Sequence, residues 1–237
     1  MRILGIESSS LVASIGLVTD DVLTAEYTVN FKKTHSQTLL PMLDEVAKMI
    51  ELDLNTIDAI AVSGGPGSFT GLRIGSATGK GLGLALKKPL IHVPTVDALA
   101  YNMWGYHGLV CPIMDARRSQ VYTGIYRMTD GMEILKEQCP MDMRGLAEEL
   151  NKLGEKVVFL GDGVPVSRTI IEEALTVPYE FAPAHMNRQR AGAVAALGAV
   201  YYKEGKTETA EDHKPDYLRK SQAERERSGE TIKGDSI

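Results

Sequence analysis

The sequence predicts an α/β protein made of two units that share the order βββαβαβα. Short apolar runs typical of buried strands alternate with segments whose apolar residues recur at helical spacing. Each half opens with an apolar run that ends in an acid, Glu7 in the first half and Asp115 in the second. Glycines close the fourth predicted strand of each half, at Gly64 and at Gly161. The two halves share negligible sequence identity, so the repeat is one of pattern.

The first half supplies the clearer elements. Strands are predicted over residues 1–7, 11–18, 22–30, 57–63 and 90–93, and helices over 36–50, 72–87 and 95–104. The first helix is predicted because Leu39, Leu43, Val46 and Ile50 fall on one face. Pro41 within it predicts a bend or a late first turn, since proline cannot donate a backbone hydrogen bond.

The second half repeats this order with shorter segments. Strands are predicted over 109–115, 120–127, 133–138, 157–160 and 179–181, and helices over 144–153, 166–174 and 191–202. We therefore expect a first lobe over 1–108 and a second, degenerate lobe over 109–203. Residues 204–237 are rich in charge, and we expect a docked segment near 215–220 followed by a disordered end.

Two βββαβαβα units in one chain are the plan of the actin-like ATPase and sugar-kinase (ASKHA) superfold. In that fold two lobes close over a nucleotide, and the acids at the strand ends face each other across the cleft. The superfold predicts where a ligand would lie, while the reaction depends on the residues of the site.

Length and charge exclude several classes of protein. A chain of 237 residues can bury about two thirds of its surface, so neither disulfides nor metals are needed for stability. No apolar run approaches the roughly 20 residues of a membrane span, and the opening run does not resemble a signal peptide. The formal net charge of −5 argues against gripping nucleic acid directly. We expect a cytoplasmic protein in which Cys111 and Cys139 are buried, reduced thiols.

A glycine-rich segment, residues 64–75, joins the fourth strand to the next helix. Free backbone N–H groups and a helix N-terminus suit an anion there, although the segment fits neither a P-loop nor a dinucleotide fingerprint. The alternative is a tight turn in which Ser68 or Thr70 caps the helix. The candidate anion or nucleotide cleft comprises Glu7, Ser9, Gly65, Gly67, Ser68, Asp115 and Arg117.

Glycines recur every fourth residue along the helix that follows, at Gly71, Gly75, Gly79 and Gly83. Each glycine costs a helix about 0.8–1 kcal/mol relative to alanine, so close approach of another backbone must compensate. The stripe packs either on the sheet of its own lobe or on a partner. We expect the helix to be a docking element.

The sequence contains few motifs that are typical of a catalytic or metal-binding site. His35 has no second ligand at i+4, and the other histidines are scattered, so the sequence assembles no metal site. The first loop reads Glu7-Ser8-Ser9-Ser10, where an actin-like ATPase has acid-x-Gly-Thr. Bulky arginines follow the second acid in Asp115-Ala116-Arg117-Arg118, and these could bind an anion or pair with Glu7. No spacing commits to nucleophilic catalysis.

Several motifs together resemble the bacterial TsaB (YeaZ) family. They are Glu7-Ser8-Ser9, His35-Ser36 with Leu39-Leu40-Pro41, the segment Gly65-Pro66-Gly67-Ser68-Phe69-Thr70-Gly71-Leu72-Arg73-Ile74-Gly75, Lys80-Gly81-Leu82, Asp115-Ala116-Arg117 and Pro215-Asp216-Tyr217-Leu218-Arg219. The resemblance covers essentially the whole chain, and the long glycine segment is its most specific part. Glu7 stands where members commonly carry Asp.

The resemblance implies a non-catalytic scaffold in tRNA threonylcarbamoyladenosine biosynthesis. It implies pairing with TsaD, the transferase whose metal-holding His-x-x-x-His helix is matched here by His35 alone. It also implies TsaE, an ATPase, as a partner, self-association through the same face, and contact with tRNA only through the complex. No cofactor is required, although ATP or ADP could lie at a subunit junction. The expected interface comprises His35, Leu39, Leu43, Gly71, Arg73, Gly75, Gly79, Lys80 and Gly83. The alternative is an enzyme, either an actin-like ATPase or a glycoprotease-like metallohydrolase.

Overall fold

The computed structural model describes residues 1–32, 34–117 and 120–218 and contains two sheets of five strands each. The first sheet comprises β1 (Arg2–Glu7), β2 (Val12–Thr19), β3 (Val22–Asn30), β4 (Ala59–Gly65) and β5 (Leu90–Pro94). Its spatial order is β3-β2-β1-β4-β5. The second sheet comprises β6 (Leu109–Asp115), β7 (Gln120–Arg127), β8 (Glu133–Asp142), β9 (Val157–Leu160) and β10 (Tyr179–Phe181). Its order, β8-β7-β6-β9-β10, repeats the first.

Six α-helices lie within the described ranges, together with one short 3-10 helix, Leu54–Thr56. The α-helices are α1 (His35–Met49), α2 (Phe69–Leu86), α3 (Thr95–Tyr101), α4 (Met143–Leu153), α5 (Val164–Ala174) and α6 (Ala191–Lys203). With the strands they spell βββαβαβα twice, and in each unit the first strand pairs antiparallel with the second and parallel with the fourth. The predicted fold class, a duplicated actin-like ATPase and sugar-kinase fold, is confirmed.

Strand β8 is longer than predicted and continues through Cys139 and Pro140 to Asp142. The sequence predicts this strand over 133–138 only. Pro140 is tolerated because β8 is the edge strand of its sheet, where one side of the backbone needs no partner. Its pairing with β7 continues to the Gln120–Asp142 pair.

The first sheet is covered on both faces. Leu4 and Ile6 of β1 point to one face and pack with the apolar side of α1, including Leu39 and Leu43. Ile3 and neighbouring residues of β4 and β5 point to the other face and pack on α6. The small residues of α6 allow close approach, since a Cβ on Gly198 would lie 2.6 Å from the Cβ of Ala61.

Two helices cross from one unit to the other. Helix α6 ends the second unit but packs on the first sheet, and α3 of the first unit packs with Val110 and Tyr126 of the second sheet. Asp97 of α3 joins the two units, since its carboxylate accepts hydrogen bonds from Tyr126 at 2.7 Å and from Tyr201 of α6 at 3.3 Å. The division into lobes at residue 108 stays a prediction, and the helices on either side of it are interleaved.

Residues 204–218 return to the first unit after α6. Glu208 forms a two-bond antiparallel bridge with Leu90, at 2.9 Å each way. The amide of Asp216 donates to the carbonyl of Gly64 at 2.7 Å, and the ring of Tyr217 stacks on Phe69 at 4.4 Å. Asp216 and Tyr217 of the expected docked segment thus contact the first unit, and Leu218 packs where α3 meets the second sheet. Residues 219 and 220, and the predicted disordered end, lie outside the described residues.

In the described part of the chain, no helix combines the length and apolar character that crossing a bilayer requires. Cys111 is buried and Cys139 is partly buried, and both are free thiols. Burial raises the pKa of Cys111 to about 12, which keeps its thiol protonated and unreactive at neutral pH.

Candidate functional site

A cleft of about 610 Å³ opens where the two units meet, at the ends of β1 and β6. The first unit lines it with the loop after β1 and the turn before α2, and the second unit lines it with the ends of β6 and β9. Its lining residues are Ser9, Ser10, Leu11, His35, Gly67, Ser68, Phe69, Met114, Asp115, Ala116, Arg117, Tyr122 and Asp162. Of the candidate cleft residues, Ser9, Gly67, Ser68, Asp115 and Arg117 lie here.

Glu7 lies below the cleft and is fully buried. Its Oε1 accepts hydrogen bonds from the amide of Ser9 at 2.6 Å and from the Ser9 hydroxyl at 2.5 Å. Its Oε2 is buried without a hydrogen-bond partner among the described residues. Burial raises the pKa of Glu7 and outweighs the hydrogen bonds from Ser9, which lower it.

Asp162 is a second acid beside the cleft, half-buried, and it was not predicted from the sequence as a site residue. It lies in the turn between β9 and α5, and its Oδ1 has no hydrogen-bond partner within the described ranges. Burial raises its pKa, and the charge of Asp115 raises it further. The signal that could have identified it is Gly161-Asp162-Gly163, which puts an acid at the end of the fourth strand of the second unit.

The predicted roles of Arg117 as an anion ligand or a partner of Glu7 are not supported, because Asp115 engages it. The backbone N–H of Arg117 donates to Asp115 Oδ1 at 2.8 Å, and its guanidinium lies 3.4 Å from Asp115 Oδ2. Arg118 lies outside the described residues. With Glu7 and Asp162 nearby, the carboxylates make the cleft a poor site for a bare phosphate.

The glycine-rich turn before α2 packs on the chain itself. A Cβ on Gly67 would lie 2.3 Å from the carbonyl oxygen of Ser9, and the amide of Ser68 donates to that same oxygen at 2.6 Å. The Ser68 hydroxyl accepts from the amide of Gly71 at 3.3 Å, which confirms the cap alternative. Gly65 was wrongly placed in the cleft, because the backbone of Asp216 covers it.

The glycine stripe of α2 faces its own unit, so its predicted role as a partner face is wrong. A Cβ on Gly71 would lie 2.0 Å from the carbonyl oxygen of Ser8, and one on Gly75 would lie 2.3 Å from the Ser8 hydroxyl. Equivalent atoms on Gly79 and Gly83 would meet Val62 at 2.6 Å and Leu90 at 2.4 Å. Helix and sheet approach closely here, which explains why the helix tolerates the cost of these glycines.

The other predicted interface residues are also engaged within the chain. Leu39 and Leu43 were wrongly expected on the surface, because they fill the core between α1 and the first sheet. The Nε2 of His35 lies 3.0 Å from the carbonyl oxygen of Val12, and the ring lines the cleft. The exposed Arg73 donates to the Tyr217 hydroxyl at 3.2 Å. The ammonium of Lys80 donates to the carbonyls of residues 211 and 213.

The outward sides of α1 and α2 form a different surface, which we call the α1–α2 outer face. Both helices pack on the same side of the first sheet and against each other. Leu40 of α1 is 54% exposed and Leu84 of α2 is 56% exposed. A Cβ on Gly81 would meet nothing within 4 Å. This face was not predicted from the sequence, because the glycine stripe, the stronger sequence signal, lies on the opposite side of α2.

The buried carboxyl of Glu7 gives a pH-dependent expectation. Its pKa is higher in the folded chain than in the unfolded chain, where it is about 4.3. At pH values between these two pKa values the folded state therefore binds more protons than the unfolded state. The free energy of unfolding then falls as the pH rises through that range. We expect Glu7→Gln to become more stable relative to wild type between pH 4 and pH 8. Urea denaturation at both values measures this. Glu45→Gln, on an exposed position of α1, should show no such trend, and a pH-independent difference for Glu7→Gln would contradict the expectation.

Comparisons of the sequence and of the structure identify known proteins that are similar to this chain. The family model described as "TsaD: tRNA N6-adenosine threonylcarbamoyltransferase" matches residues 26–227. The chain is 35% identical over 227 residues to the tRNA threonylcarbamoyladenosine biosynthesis protein TsaB of Bacillus subtilis, covering 94% of this chain and 96% of the relative. It is 28% identical over 233 residues to the protein of that name from Escherichia coli, again covering 94% and 96%. Among solved structures, YeaZ from Pseudomonas aeruginosa superposes with a TM-score of 0.78 at 24% identity, covering 92% of this chain and 99% of that one.

Proposed function

Because this chain belongs to the TsaB family of tRNA threonylcarbamoyladenosine biosynthesis proteins, we propose that it is a non-catalytic subunit that binds and supports a TsaD-type transferase. The α1–α2 outer face is the observation that carries the proposal. It presents Leu40 and Leu84 on the side of the helices that faces away from the sheet. Exposed large aliphatic side chains on a helical face can bury apolar surface against a partner, which favours association.

The match to the TsaD family model favours the transferase as the occupant of this face. Because proteins of one family share a fold, we expect a TsaD-type protein to carry helices equivalent to α1 and α2. Equivalent surfaces can pair about a twofold or pseudo-twofold axis. The same geometry would let two copies of this chain pair through the face when the transferase is absent. In this scheme TsaE joins the assembled complex, and the acidic chain meets tRNA only through its partners.

The cleft supports a role without catalysis. Its glycine-rich turn packs on Ser9 instead of leaving its backbone open to a phosphate. The only guanidinium among the described lining residues, that of Arg117, is paired with Asp115. We therefore propose that any ATP or ADP in the complex lies at a subunit junction, where a partner supplies the phosphate ligands.

Leu84→Glu is expected to weaken association with the TsaD of the same organism at least tenfold. The change puts a carboxylate into the proposed apolar contact, where its desolvation is not compensated. Biolayer interferometry with full-length purified proteins measures the affinity. The matched control is Val166→Glu on α5, because Val166 is 65% exposed but lies in the second unit. Equal losses for the two variants, or no loss for Leu84→Glu, would contradict the proposed interface.

The rival function is an ATPase of the actin-like fold. The observation in its favour is that Glu7 and Asp162 each have a buried carboxyl oxygen without a hydrogen-bond partner among the described residues. Titration of the isolated chain with ATP and Mg²⁺, followed by a phosphate-release assay, separates the two functions. ATP turnover by the isolated chain, lost in Asp162→Asn, would favour the ATPase and overturn the non-catalytic proposal.

A further inference from the structure

Three side chains capable of metal ligation meet at the edge of the first sheet, away from the cleft. They are His92, Glu208 and His213, and one ligand atom of each lies within 4.8 Å of the other two. The cluster joins β5 to the segment that follows α6. His92 is separated from the other two by more than a hundred positions in the sequence, so only the fold brings it to them.

Each ligand is positioned by backbone contacts that do not depend on its side chain. His92 lies on β5, whose residue Leu90 is bridged to Glu208 by two backbone hydrogen bonds of 2.9 Å. A turn then brings His213 back, since its amide donates to the carbonyl of Thr209 at 3.2 Å. The ammonium of Lys80 holds this turn through the carbonyls of residues 211 and 213, at 3.0 and 3.2 Å.

Two imidazole nitrogens of the cluster are buried without hydrogen-bond partners in the part of the chain that the structure describes. His213 is 1% exposed, and its Nε2 is one of them. Its Nδ1 lies 2.6 Å from a carboxylate oxygen of Glu208. The second is Nε2 of His92, which lies 3.2 Å from the carboxylate of Asp216 but makes no hydrogen bond with it. Buried polar atoms are rarely left unsatisfied, so the Nε2 of His92 points to a ligand. His213 faces Glu208 with Nδ1, and Nδ1 is therefore the nitrogen with which it would share an ion with that carboxylate.

We propose that His92, Glu208 and His213 bind one transition-metal ion, and that the ion is Zn²⁺. Two imidazoles and one carboxylate form a donor set that suits Zn²⁺, whereas Mg²⁺ and Ca²⁺ require mainly oxygen ligands. The carboxylate of Asp216, beside His92, adds negative charge at the site. Three protein ligands also leave a coordination position for water or for a fourth group.

The consequence of binding would be to fasten the segment after α6 onto the sheet. That segment carries Tyr217, which stacks on Phe69 and accepts a hydrogen bond from Arg73 of α2. A metal ion bound between β5 and residues 208–213 would therefore help to hold the ring of Tyr217 against Phe69 at the start of α2. This role is independent of the partner proposed for the α1–α2 outer face.

The test uses the full-length, untagged chain after treatment with a chelator and dialysis. Titration calorimetry with Zn²⁺ should give one equivalent per chain, and Co²⁺ should give the visible absorption of a low-symmetry site. Glu208→Gln should weaken Zn²⁺ binding at least tenfold, because it removes the only carboxylate of the trio while leaving the backbone bridge intact. The matched control is Glu211→Gln, which removes the same charge from an exposed position three residues away and should bind as wild type does.

Two further measurements keep the test decisive. Zn²⁺ should raise the melting temperature of wild type and of His185→Gln, an exposed histidine elsewhere, but not that of Glu208→Gln. Circular dichroism checks that each variant is folded. If Glu208→Gln is not folded, His92→Gln is used as the test variant in its place. Absence of stoichiometric Zn²⁺ uptake by wild type would overturn the proposal and leave the cluster as a hydrogen-bonded contact only. Uptake that neither Glu208→Gln nor His92→Gln reduces would place the ion elsewhere and would overturn it equally.

Discussion

Gly71→Ala is expected to destabilise the protein by about 3 kcal/mol, because the added methyl group has no room. Its Cβ would lie 2.0 Å from the carbonyl oxygen of Ser8. The obstacle is backbone, and the Ser8 hydroxyl also donates to the carbonyl of Gly71 at 2.9 Å, so neither segment can move independently. The loss should appear in urea denaturation as a lower midpoint with an unchanged slope.

The matched control lies three turns along the same helix. Gly81→Ala introduces the same methyl group where nothing lies within 4 Å of it. Alanine is favoured over glycine inside a helix by about 0.8–1 kcal/mol, so this variant should be more stable than wild type. Two identical substitutions in α2 thus have opposite expected signs. A similar change in midpoint for both would contradict the assignment of the glycine stripe to the buried side.

Tyr126→Phe is expected to cost about 2 kcal/mol, because it removes a hydrogen bond to a buried carboxylate. The Tyr126 hydroxyl donates to Asp97 at 2.7 Å, and only the longer bond from Tyr201 would remain. Asp97 joins α3 to β7 and α6, so the loss falls where the two units interleave. Chemical denaturation measures the change, with Tyr27→Phe on the exposed surface of β3 as the control, expected within about 0.5 kcal/mol of wild type.

The cost of Tyr126→Phe should depend on pH. Burial raises the pKa of Asp97, and the tyrosine hydrogen bonds keep it lower than burial alone would. Removing Tyr126 therefore raises the pKa of folded Asp97 further and penalises its ionised form. The variant should lose more stability relative to wild type at pH 8 than at pH 4. At pH 4 a protonated Asp97 carries no charge for the tyrosine hydroxyls to stabilise. A larger loss of stability at pH 4 than at pH 8 would contradict the predicted direction of this pH dependence.

Much of the fold could be predicted from local patterns. The apolar runs 1–7 and 109–115, each ended by an acid, located β1 and β6 and the cleft between them. The period of Leu39, Leu43 and Val46 identified the buried side of α1. These predictions succeed because strand and helix periods are set by the backbone, and each unit must bury one face of every element.

The interface could not be predicted in the same way. A glycine every fourth residue shows that something approaches α2 closely, but the sequence does not show what. The structure gives Ser8, Val62 and Leu90 as the neighbours, all in the same unit. The α1–α2 outer face has the weaker sequence signal, because single exposed leucines such as Leu40 and Leu84 are common on protein surfaces.

The sequence by itself determined the duplicated topology, the family and the position of the cleft, because these follow from local periodicity and from motifs read in order. Tertiary structure decided which side of α2 is buried and how α3 and α6 cross between the units. It also decided that His92 meets Glu208 and His213. The physical reason is that these features depend on pairs of segments far apart in the chain, and their closeness is set by how sheets and helices pack, not by residue spacing.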